Sequence, residues 1–272
     1  MCVGSAVGLR RPRLGLSCKE GAADAQDRWG QAGVDGVGPM TLLRPTHIRE
    51  VHSFGRLRDG PEAELQGIIA KALPDLIDSS GSRVWAGSSL PIGAGLPDLL
   101  AATYRPQVEM IAALSSQHLA IIAYLRSVSK AKLDTIADRV AAPVSRVSTC
   151  VECLLEIQVI RRIGNSFRLY DEWRDVLPEV VAIEVKVSDW RRGVQQAARN
   201  LLFANKSFLA LPLRVAKRVK QDEFAGAVGL GLIGIDDLGA LHVVRRPRKS
   251  SPKVWSYYYG VAQAVAASTR GT

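Results

Sequence analysis

The sequence predicts an α/β fold, a mixed β-sheet flanked by helices and interrupted by an inserted helical segment. Three observations predict it. After Trp173, β-branched apolar runs alternate with helix-length segments, the pattern of strand–helix–strand crossovers. Before residue 108, a helix that starts at Pro61 precedes two short apolar runs. Between these two parts, residues 109–173 change to helical periodicity and close on a hairpin signature. The chain has 272 residues, of which 47% are hydrophobic and 23% charged, enough apolar material to offset the entropy of ordering the backbone.

Residues 1–39 hold 8 of the 24 glycines and show no apolar periodicity, so they are expected to be a disordered extension. Met40 opens a patterned stretch, TLLRPTHIREVHSFGRL, and translation could start there. Pro61 suits the first helical position, Glu62 and Glu64 suit the positive helix end, and Leu65, Ile68, Ile69, Ala72, Leu73 and Leu76 repeat at helical spacing. The stretch SSGSR breaks that helix. Residues 83–86 and 96–102 then read as two strands around the Gly/Pro-rich GSSLPIGAG.

Residues 116–125, 131–140 and 144–156 read as three helices, with the turn Ala141, Ala142, Pro143 before the last. Residues 159–163 and 167–170 are extended and are joined by Gly164, Asn165 and Ser166, which tolerate positive φ. Helix, helix, turn, helix, hairpin is the order of a winged helix-turn-helix. Residues 180–187 (VVAIEVKV) have the composition of a buried strand, 190–204 of a helix, 208–211 of a strand and 215–225 of a helix. Residues 230–235 and 240–244 pair around the turn Asp236, Asp237, Leu238, Gly239, and RRPRKSSPK follows as a basic loop. The expected organisation is an extension at 1–39, a core in two parts at 40–108 and 174–250, an inserted module at 109–173 and a tail at 251–272.

Several function classes drop out. The longest apolar runs, 180–183 and 225–235, fall short of the ~20 residues of a membrane span. Arginines interrupt the first 18 residues where an export signal needs an unbroken apolar core. Four cysteines are too sparse for a disulfide scaffold, so a cytoplasmic setting is expected. The net charge of +10 favours a polyanionic partner.

Glu184 and Lys186, two apart on a strand, share one face in a stretch otherwise fit for a core. Burying either is costly unless it is paired or holds a metal. Alone, such a pair is a salt bridge at a sheet edge. Asp98, in GLPDLLAA, is a second acid at the start of an apolar strand. Two carboxylates on adjacent strands can hold a hard divalent cation, and a nearby lysine can orient a water that attacks phosphorus.

These residues resemble the PD-(D/E)xK nucleases of the restriction-endonuclease-like fold, with Pro97-Asp98 as the PD and Glu184-Val185-Lys186 as the (D/E)xK. EAELQGII, GLPDLL and AIEVKV are similar to the three blocks of the archaeal Holliday-junction resolvases. The resemblance covers roughly residues 60–105 and 178–245. It implies Asp98, Glu184 and Glu62 as ligands of Mg²⁺, with Mn²⁺ as a substitute and Glu64 as the neighbouring candidate for the helix acid. It implies Lys186 as the water-orienting group and Gln196 as a residue facing the active site or the DNA backbone. Roughly eighty residues separate Asp98 from Glu184, where compact members have a short turn. The winged helix would fill that gap.

The winged helix resembles DNA-binding modules of bacterial regulators. Ser145, Arg146, Ser148 and Thr149 would reach bases or phosphates, and Arg161, Arg162 and Arg168 would meet the backbone, against the unfavourable charges of Glu152 and Glu156. Arg191 and Arg192, beside Trp190, face either DNA or solvent. Cys150 and Cys153 lack partners for a zinc site and suit core packing. The scattered histidines, His47, His52, His118 and His242, carry no nucleophile motif. The expected function is a metal-dependent DNA endonuclease, dimeric if it cuts both strands. The alternatives are a DNA-binding regulator with an inactive nuclease-like domain and a winged-helix accessory module of a defence or repair assembly.

Overall fold

The structure is a computed structural model and describes residues 41–43, 51–53, 59–77 and 83–269. The expectations for residues 1–39, His47, Cys2 and Cys18 lie outside the described residues. Residues Met40–Thr272 form one compact unit.

The elements run in chain order as β1 (Thr41–Leu43), β2 (His52–Ser53), α1 (Pro61–Ala70), α2 (Leu73–Leu76), β3 (Arg83–Ser88), β4 (Leu99–Tyr104), α3 (Val108–Ile111) and α4 (Ser116–Ser127). Next come β5 (Ala131–Lys132), α5 (Leu133–Arg139), α6 (Val144–Glu156), β6 (Ile160–Ile163) and β7 (Ser166–Leu169). The chain continues through β8 (Glu179–Val185), α7 (Trp190–Asn200), β9 (Lys206–Pro212), α8 (Leu213–Val219), α9 (Glu223–Val228), β10 (Gly231–Ile235), β11 (Leu241–Arg245) and α10 (Trp255–Thr269).

Eight strands form one mixed sheet in the order β1-β11-β10-β9-β8-β4-β3-β2. β3, β4 and β8 are successively antiparallel, whereas β8, β9 and β10 are parallel, which requires the crossovers through α7 and through α8 and α9. β8 is buried along its whole length because helices cover both faces. Val181, Ile183 and Val185 pack with Ile69, Leu73 and Leu76 of α1 and α2. The alternate residues Val180 and Ala182 join the opposite face, under α10 and the helices of the inserted segment. Further along that face, α7, α8 and α9 cover Leu209, Leu211 and Leu232.

The insertion leaves and re-enters the sheet between hydrogen-bonded neighbours. Its two ends meet where the Arg105 amide donates to the Val176 carbonyl at 3.0 Å. Within it, α4 to α6 stand beside a three-stranded sheet in the order β5-β7-β6. Gly164 takes φ 57 in the β6–β7 turn, as its position there requires. The apolar residues of this segment, such as Ile122, Ile136, Val151 and Leu154, share one continuous cluster with Leu100, Ala102 and α10. The segment is thus built onto the sheet and has no core of its own.

Three expectations are corrected. The expected tail is not one where it is described, since Trp255–Thr269 form α10. Tyr258, Tyr259, Val261, Ala262, Val265 and Ala266 are buried there, and a helix apolar on nearly all sides becomes core. Tyr258 clamps the insertion's return, its hydroxyl accepting from Leu177 N at 2.8 Å and donating to Leu177 O at 3.0 Å. The helix expected at 215–225 is two helices, because Asp222 caps a new start by accepting from Ala225 N at 2.8 Å. The strand expected from Leu96 begins at Leu99, after Gly95 at φ 157 has turned the chain. Among the described residues no helix is long and apolar enough to cross a membrane.

Candidate active site

The strands that carry Asp98 and Glu184 are neighbours. β4 pairs with β8 from Leu99 opposite Ile183 to Thr103 opposite Glu179, and one further step of that register sets Asp98 opposite Glu184. Both then lie on the sheet face that carries Leu100 and Ala182. Asp98 Oδ2 accepts from the Val185 amide at 2.7 Å, which fixes its carboxylate against the end of β8. The ladder continues past β8, where the Lys186 amide donates to Ala210 O at 3.0 Å.

Lys186 draws the acids together. Its Nζ lies 3.6 Å from Asp98 Oδ2 and 3.7 Å from Glu62 Oε2, and it donates to Val185 O at 2.9 Å. Glu62 stands in the first turn of α1, where the helix end favours an acid, and its side chain is 49% exposed. Glu64 is exposed, and Glu62 is the acid of this helix that reaches the lysine.

Glu184 is only 2% exposed. Its Oε1 accepts from Asn200 Nδ2 at 3.0 Å, while Oε2 is buried without a hydrogen-bond partner. Burial, and next the charge of Asp98, push its carboxyl up to about 8, against the opposing pull of Asn200 and Lys186. Two acidic side chains therefore stand side by side on neighbouring strands, one of them almost fully buried. Among the described residues, no group of three or more His, Cys, Asp and Glu side chains converges as a metal cage. Glu62 is linked to Asp98 through the Lys186 amine.

Helix α7 roofs this site, and sequence reasoning missed two of its residues. Gly193 leaves room for the lysine stem, since a Cβ there would sit 2.8 Å from Lys186 Cγ and 2.7 Å from Leu209 Cδ1. Asn200 is buried and orients Glu184. Gly193, Gln196 and Asn200 fall at spacings three and four, one stripe of a helix. Gln196 is on that stripe, and its Oε1 is buried without a hydrogen-bond partner. The helical spacing in GVQQAARN was the signal that would have found Asn200.

The residues expected to meet DNA are placed elsewhere, on α6 and on the β6–β7 hairpin. Ser145, Arg146 and Thr149 are exposed, and Ser148 is half-buried. Thr149 donates to Ser145 O at 3.2 Å and Ser148 to Glu152 Oε1 at 3.4 Å. On the hairpin, Arg161 lies over Tyr170 at 5.4 Å and Arg162 over Phe167 at 5.2 Å, while Arg168 pairs with Asp171 at 3.6 Å. Arg191 and Arg192 are exposed in the first turn of α7, Arg191 lying 4.6 Å over Trp190. Cys150 is buried on the core side of α6, and Cys150 and Cys153 are free thiols. His242 Nε2, on β11, lies 2.8 Å from Asp236 Oδ2 of the β10–β11 turn.

The chain matches no family model, no curated protein and no solved structure.

Proposed function

We propose that the protein is a metal-dependent phosphodiesterase of the PD-(D/E)xK type. Within that class, its charge and its inserted winged helix suit a DNA endonuclease. The observation that supports this reading is the register that sets Asp98 opposite Glu184 with Lys186 Nζ 3.6 Å from Asp98. A sheet-edge salt bridge accounts for Lys186 but leaves unexplained why a second acid is buried beside Asp98.

Asp98 and Glu184 would hold a divalent cation, Mg²⁺ or Mn²⁺. When bound, that ion supplies charge against the oxygens of the scissile phosphate and lowers the pKa of water. The chain's own groups do the rest. The Val185 amide and Asn200 keep the two carboxylates aimed at one another. Lys186, held beside Asp98, would orient the attacking water and offset charge on a phosphate oxygen. Glu62, half in solvent, holds the lysine amine in place. Helix α7 closes the site from above and limits bulk water.

The test is cleavage of plasmid and branched DNA by the full chain in Mg²⁺. Lys186→Ala and Asp98→Ala should each abolish cut product while DNA binding stays within about threefold. Cleavage persisting in both variants rejects the site, and binding without cleavage by the unaltered protein points to a DNA-binding regulator instead.

A further inference from the structure

We propose that the outer faces of α7 and α8 form a surface that holds a duplex phosphate backbone beside the acidic site, independently of base sequence. The inference deepens the nuclease reading and rests on it for the site's role, but binding alone tests the surface. Helix α7 reads WRRGVQQAARN and α8 reads LRVAKRV. Between them they carry Arg191, Arg192, Arg199, Arg214, Lys217 and Arg218 and no carboxylate. All six are exposed. Arg214, Lys217 and Arg218 fall at i, i+3 and i+4, one face of α8, opposite the buried Ala216 and Val219. Among the described residues, no carboxylate forms an ion pair within 4.0 Å with the charged group of any of the six, and the Asp189 carboxylate that caps α7 accepts from the Arg192 backbone amide at 3.3 Å.

Their placement is set by topology. β8 and β9 are parallel, and each is followed directly by its helix, so α7 and α8 both start at the sheet edge where Asp98, Glu184 and Lys186 converge. Val194 and Ala197 of α7 and Ala216 and Val219 of α8 pack in one cluster on the same sheet face. Their outer faces therefore point the same way. Solvated helices normally intersperse both signs, and a single-sign surface on a chain already at +10 is self-repelling until a polyanion neutralises it. Helix α6 lacks this character, since Glu152 and Glu156 are exposed on it with Arg146. Lysine and arginine at such positions contact phosphates, which position a duplex without reading it.

The experiment measures affinity of the full chain for fluorescent duplex DNA of two unrelated sequences, in EDTA, across a salt series. Two triple variants are compared, Arg214→Gln/Lys217→Gln/Arg218→Gln and Arg191→Gln/Arg192→Gln/Arg199→Gln. Each phosphate contact contributes about 0.9 to the slope of log affinity against log salt, so each variant should lower that slope by up to about 3. Affinity should fall about tenfold or more, equally for both sequences. Thermal unfolding should be nearly unchanged, because the side chains are exposed. Unchanged slope and affinity in both variants overturn the proposal. So does loss of binding only in Arg146→Gln/Arg161→Gln/Arg162→Gln, which would assign the duplex to α6 and its hairpin. Binding to phosphatidylserine vesicles that the α8 variant abolishes, with DNA affinity unmoved, would assign the face to a membrane surface. Failure of cleavage with this salt behaviour intact would count against the nuclease reading alone.

Discussion

Replacing Glu184 with glutamine should stabilise the fold at alkaline pH, although it removes a residue the proposed chemistry needs. The native carboxyl is pushed up to about 8 from an ordinary 4.5, chiefly by burial and next by Asp98. Between those values the folded protein keeps a proton that the unfolded chain has released. The stabilisation is fully present below pH 4.5 and is lost as pH rises through about 8. Each unit is about 1.4 kcal/mol, so the decline between about pH 6 and about pH 9 is on the order of 3 kcal/mol. Glutamine copies the protonated acid: its Oε1 still accepts from Asn200, and its amide faces Asp98. Urea unfolding of both proteins across that range, in EDTA, isolates the effect. The difference between variant and parent should grow with pH by that amount, and Mg²⁺ should restore the parent alone. Parallel pH profiles would refute the claim that Glu184 is protonated in the folded metal-free protein.

Other outcomes follow from neighbouring contacts. Gly193→Ala presses a methyl against Lys186 and Leu209, and should cost about 1–3 kcal/mol by denaturant unfolding while lowering cleavage, because the lysine stem must move. Asn200→Ala leaves Glu184 Oε1 without its donor and should weaken Mn²⁺ affinity about 10- to 100-fold by titration; Asn200→Gln, which keeps an amide, should recover part of it. Tyr258→Phe strands the buried Leu177 amide and carbonyl at the insertion's return and should cost about 1–3 kcal/mol, with DNA affinity unchanged per folded molecule.

Six of the eight strands of the large sheet were legible because they are short apolar runs between breakers, whereas the two- and three-residue strands β2 and β1 were not. The expected helix at 144–156 coincides with α6, and the pairing of β10 with β11 around Asp236 and Gly239 is present, with Gly239 at φ 78. Helix α10 escaped because YYYGVAQAVAA has no polar stripe, and helix recognition rests on contrast between faces. The separation of α8 from α9 escaped because Asp222 reads equally as a surface residue within one helix. At the site, Asp98, Glu184 and Lys186 were legible as acids and a base in apolar stretches, where packing alone gives no reason for them. Their adjacency was expected from the family resemblance and not from spacing, because it depends on the pairing of β4 with β8 across the insertion. Gly193 was missed because its role is clearance, which leaves no mark on composition, and Asn200 was missed because its only signal is the helical spacing from Gln196.

Electron paramagnetic resonance of Mn²⁺ added to the full chain asks whether Asp98 and Glu184 together hold a divalent cation. A single saturable ion is expected in the parent and in Lys186→Ala, and none at the same concentration in Asp98→Asn or Glu184→Gln. Equal Mn²⁺ binding by the parent and by a protein lacking both carboxylates would contradict it.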